Sequence, residues 1–160
     1  MAAFAFEGAN LTWQRVNEAL ANASPAAQYA FKDLKKWLAT QKGNPKLGFY
    51  PFVSTSVDDA DGQVLATGAA RIVGVYAKKA DTAGDVFLWL IDDVDNDSTL
   101  STKGNIMLAL LEAKEEAIYL NPTGISFGLG LDVKAYTSPL GTTDSTDTDC
   151  PNGFVIVIQP

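Results

Sequence analysis

The sequence predicts a mainly β protein of α+β class: an antiparallel β-sandwich, jelly-roll-like, preceded by a helical hairpin. Three observations carry that expectation. Helical spacing of apolar residues is concentrated in the first 46 of the 160 residues. After Lys46 the apolar residues fall into short alternating or continuous runs rich in Val, Ile, Tyr and Phe. Clusters of Gly, Pro, Asp and Asn separate those runs, leaving about seven or eight strands, enough for two facing sheets. The expected division is 1–46, an arm and two amphipathic helices for partner contact, and 47–160, the sandwich.

The first helix is expected from Asn10, a good N-cap, with Trp13, Val16, Leu20 and Ala23 at helical spacing. Ser24-Pro25 supplies a second cap with proline at the first helical position. Ala27, Ala30, Phe31, Leu34, Trp37 and Leu38 then form one stripe, while Lys32, Asp33, Lys35 and Lys36 point away. Gly43 and Pro45 end the helix.

The strands follow. GFYPFVSTSV at 48–57 contains Pro51, which cannot donate to a ladder and so predicts an edge strand. An acidic turn at 58–62 leads to QVLATGAARIVGVYAKK, then a small-polar link and DVFLWLID. Segment 105–120, NIMLALLEAKEEAIYL, has helix-forming composition, but its neighbours are β-like, so two strands around a polar turn are expected. ISFGLGL and DVKAYTS carry bends or alternate, and FVIVI is a buried strand entered from Pro151-Asn152-Gly153.

With 47% apolar and 19% charged residues the chain is globular, and its apolar runs are shorter than the roughly 20 residues needed to span a bilayer. The opening MAAFAFEGAN has no basic segment and no cleavage pattern, so export is not expected. Cys150 is the single cysteine and histidine is absent, which removes thiol–histidine chemistry, zinc ligation and the usual general base. Charge divides unevenly. Residues 1–80 hold nine Lys/Arg against six Asp/Glu, and residues 81–160 hold three against thirteen. The acidic half would repel nucleic acid, and the basic half is the side expected to meet an acidic partner.

The stretch LIDDVDNDS at 90–98 poses a choice between a metal loop, paired catalytic carboxylates and a wet turn. Asp93, Asp95 and Asp97 alternate as calcium ligands do. However, Ser98 stands where an EF-hand needs glycine, Gly104 where it needs a bidentate glutamate, and a strand precedes the loop. A solvated turn is the favoured reading, with a calcium site of another kind as the alternative. Adjacent Asp92 and Asp93 on a strand would face opposite ways, which argues against a glycosidase pair. Gly124, Gly128 and Gly130 lack phosphate-loop spacing. Phe4 and Phe6 precede the first helix on a short arm, where they either anchor a partner or pack back on their own domain. With Trp13, Arg15, Lys35 and Lys36 they form the expected partner-binding set; no catalytic residue and no cofactor is expected.

The order of the phrases VGVYA, an Ala/Thr/Asp link, FLWLID, PTGISFGLGL and a Thr/Asp-rich loop before FVIVI resembles the small β-sandwich capsid decoration, or cement, proteins of tailed bacteriophages. The similarity covers about residues 64–160 and leaves the helical third unmatched. What it implies is a non-enzymatic virion protein on the outer capsid surface, made in the host cytoplasm. It would be a homotrimer contacting the major capsid protein and bracing neighbouring capsomers, with no nucleic-acid or membrane partner. A sandwich-type glycan-binding module, with or without calcium, and a head-to-tail or tail component are the alternatives.

Overall fold

The computed structural model describes residues 9–21, 23–41, 47–52, 63–79, 84–93, 104–111, 116–136 and 152–158. Among these residues three helices come first, α1 (Ala9–Leu20), α2 (Pro25–Ala30) and α3 (Lys32–Thr40). Eight strands follow among the described residues: β1 (Leu47–Phe52), β2 (Gln63–Thr67), β3 (Ala70–Lys78), β4 (Val86–Ile91), β5 (Gly104–Leu110), β6 (Glu116–Phe127), β7 (Gly130–Tyr136) and β8 (Asn152–Ile158). The chain is thus mostly β, with a short helical region on its N-terminal side.

All strand pairs are antiparallel and lie in two four-stranded sheets, ordered β1-β8-β3-β6 and β2-β7-β4-β5. The first strand pairs with the last, the second with the seventh, the third with the sixth and the fourth with the fifth. Successive pairs alternate between the sheets.

Alternation along the strands divides the apolar residues between two cores. The first takes Ile72, Val75, Ala77, Val155 and Val157 from one sheet and Leu88, Leu90, Leu108, Leu131 and Val133 from the other. The second joins Val16, Leu20, Phe31, Leu34 and Leu38 of the helical region to Leu47, Val73, Tyr76, Phe154 and Ile156 on the opposite face of the first sheet. A register break between Ile72 and Gly74 changes the parity of β3, so that Ile72 before it and Val75 after it face the same core between the sheets. Gly74 there brings α3 close: a Cβ would stand 2.9 Å from Leu34 Cδ2.

One expectation needs correction. The second helix is not continuous: α2 ends at Phe31, whose φ of −82° and ψ of −1° flatten the turn and whose N–H is shared between the carbonyls of Ala27 and Tyr29. Its ring is fully buried against Tyr76 and Phe154, with centroids at 6.2 and 5.7 Å, and that anchorage fixes the break. Helix α3 then starts without a side-chain cap. Along β7, Asp132 and Lys134 are as buried as Leu131, Val133 and Ala135. The expected strands at both ends of 105–120 are present as β5 and the start of β6, and Pro51 lies in β1 at a sheet edge.

Candidate partner-binding surface

Helices α2 and α3 present the surface with the clearest binding chemistry. Ser24 opens α2 from an extended backbone, and its Oγ accepts from the Ala27 N–H at 3.2 Å. This fixes the direction in which the helix leaves the turn. Ala27, Phe31, Leu34 and Leu38 are buried on the sheet side, so helical spacing turns Gln28, Tyr29, Lys32 and Lys36 outward, with Lys35 half-buried.

A shallow groove of about 530 Å³ is lined by Pro25, Gln28, Tyr29, Lys32, Lys35 and Lys36. Tyr29 is 76% exposed, unusual for a ring on an otherwise well-packed helix. The Lys32 Nζ lies 5.8 Å from its centroid. A rigid aromatic body beside three ammonium groups offers stacking area together with charge for carboxylates. Asp33 is the acidic neighbour, exposed in the first turn of α3.

A second groove, about 720 Å³, runs between α1 and the ends of β1, β3 and β8. Phe49 and Phe154, stacked at 4.9 Å, line it, as do Arg15, Glu18 and Lys78. Its charges are mixed where those of the first groove are all positive.

A polar cluster holds the helices against the sheet. The Tyr76 hydroxyl donates to Glu116 Oε2 at 2.6 Å. Burial, then this hydrogen bond and the charge of Glu116, push the Tyr76 phenol above its ordinary range. Burial works against the Glu116 carboxylate, but hydrogen bonds from Tyr76 and from the side chain and backbone of Ser24, with the charge of Lys78, outweigh it and hold its pKa low. Ser24 therefore serves α2 and β6 together.

The acidic stretch after β4 has a structural use at Asp92. Its carboxylate accepts backbone N–H groups from Gly128 at 2.9 Å, Leu129 at 2.7 Å and Gly130 at 3.2 Å, closing the β6–β7 turn from a distant part of the chain. Asp93 is 1% exposed, while Asp95 and Asp97 lie outside the described residues. No cluster of three metal-ligating side chains occurs among the described residues.

Of the expected partner set, Lys35 and Lys36 share the basic groove, and Arg15 lines the other one. Trp13 lies within α1, and Phe4 and Phe6 fall outside the described residues. Sequence reasoning missed Tyr29, although its place opposite the Ala27–Phe31 stripe was a usable signal. Among the described residues no helix is long and apolar enough to cross a membrane. Compared with protein-family models, with curated proteins and with solved structures, the chain matches none.

Proposed function

We propose that the chain is a structural protein of a tailed-phage virion, a decoration protein that binds the assembled outer shell and braces neighbouring capsomers. The pairing of the two chain halves carries this reading. First-with-last pairing, alternating between two sheets, supports a jelly-roll sandwich made by rolling up one long antiparallel ribbon, an architecture that serves viral shells as well as lectins. It agrees with the decoration-protein resemblance of residues 64–160.

In this reading the basic, aromatic face of α2 and α3 attaches to an acidic surface of the major capsid protein, and the acidic half of the chain faces solvent. Copies are made in the host cytoplasm and end on the capsid exterior. Affinity comes from total buried areas of roughly 1,600 Å² or more and from contacts repeated by shell symmetry. Binding only the closed lattice stabilises it by mass action, with no bond made or broken.

Cosedimentation with expanded shells of the encoding virus tests the reading. The native chain is expected to pellet with shells and not with free capsid subunits. The triple variant Lys32→Glu, Lys35→Glu, Lys36→Glu is expected to bind at least about tenfold more weakly while melting at an unchanged temperature. Failure of the native chain to pellet overturns the decoration role; equal binding by the triple variant overturns the attachment face alone.

A further inference from the structure

Among the described residues the two sheets have four edges, formed by β1, β6, β2 and β5. An open edge offers unpaired N–H and C=O groups to any passing strand, and stable proteins blunt it with proline, charge, irregularity or brevity. Edge β1 carries Pro51. Edge β6 carries Glu116, Pro122, a left-handed Gly124 at φ 80° and a register break against β3. Edge β2 has five residues and a break between Val64 and Ala66.

Edge β5 has none of these devices over most of its length. Its seven residues, GNIMLAL, include no charge and no proline, and pairing with β4 is regular from Ile106 to Leu110, the one break lying at the Gly104 end. The outer face beside it is apolar as well. Met107 is 39% exposed opposite Trp89, Ala109 stands opposite Phe87, and Leu111, just beyond the strand, is 41% exposed.

We propose that β5 is a self-association edge, at which the β5 of a second copy adds antiparallel and joins the two β2-β7-β4-β5 sheets into one. Two chains of net charge −7 repel, so their contact belongs at an uncharged part of the surface, and residues 104–111 are such a part. The first charged residues met on either side in sequence, Lys103 and Glu112, have opposite signs. An antiparallel copy sets the lysine-bearing end of each strand beside the glutamate-bearing end of the other, whereas a parallel copy would set like against like. Such a contact is two-fold and self-complementary, so it yields a dimer where the decoration-protein resemblance implies a trimer. It does not depend on the shell-binding reading.

Sedimentation equilibrium of the full chain over a concentration series, with hydrogen exchange on the same samples, tests the proposal. The expected result is a dimer with a dissociation constant on the order of micromolar, the scale suited to a contact of modest area. Amides 106–110 should gain protection as concentration rises. Met107→Lys should raise the dissociation constant at least about tenfold. Glu112→Lys should weaken the dimer, and Lys103→Glu added to it should restore it. A monomer at all concentrations, a trimer, or a dimer indifferent to Met107→Lys and without protection at 106–110 overturns the proposal. A dimer that passes these tests but does not bind shells leaves the edge intact and sinks only the virion role.

Discussion

The two cores of this protein differ in how they are made. The core between the sheets draws on every strand, so each contribution depends on partners far away in sequence. The core beneath the helices is built from a local stripe, Val16 to Leu38, laid on one face of the first sheet. Strands β3 and β8 serve both, which is why they read as nearly continuous apolar runs and not as alternations. Aromatic rings mark the helical side, where Phe31, Tyr76, Phe154 and Phe49 form one connected group. The central layer is therefore a shared wall, and weakening either side is felt through it.

The largest expected effect tests that sharing. Phe31→Ala should cost about 3–5 kcal/mol and Leu88→Ala about 2–5 kcal/mol, each by emptying a fully buried site. If the wall couples the cores, both variants keep a single thermal transition by calorimetry and differ only in its midpoint; a split transition in Phe31→Ala alone would make the helical core a separate unit. Next in size is Asp92→Ala, which leaves three turn N–H groups without their carboxylate and should cost about 1–2 kcal/mol in urea denaturation. If the wall couples the cores, the slowest-exchanging amides of α2 and α3 should lose protection together with those of the sheets; unchanged exchange in the helices would part the two sides.

The smallest is Glu116→Gln, about 1 kcal/mol near neutral pH, from weaker acceptance of Tyr76 and Ser24. Its pH dependence is more telling. The Glu116 pKa is lowered by folding, so its stabilisation is present above the unfolded value near about 4.3 and is lost as pH falls through the folded value. The Tyr76 pKa is raised, so its contribution is complete below about pH 10 and is lost as pH climbs beyond. Denaturation midpoints across pH should show both losses in the native chain and flatter limbs at both ends in the variant. Identical profiles would remove the polar cluster from the account.

Much of this was legible because strand signals are local. Val, Ile and Tyr runs bounded by Gly and Asp announced β3, β4 and β8, and the β-like flanks of 105–120 outweighed its helix-forming Leu, Ala and Glu. What was not legible depends on partners far away. Nothing near Phe31 in sequence shows that its ring will be held by Tyr76 and Phe154. Nothing in LDVKAY reveals that Asp132 and Lys134 will be covered. Asp92 reads as one acid among several until the β6–β7 turn lies beside it. The grooves divide in the same way: Lys32, Lys35 and Lys36 follow from one helix period, whereas parting them from Arg15 requires knowing how α1 lies against the strands.

The placement of β8 between β1 and β3 has a consequence for how the molecule comes into being. On the ribosome, β1 emerges about a hundred residues before β8, the strand that hydrogen-bonds to it among the described residues, so that sheet stays open until residues 152–158 are released. The nascent polypeptide must carry an unfinished layer until those residues are made, and a chain interrupted before them would orphan β1.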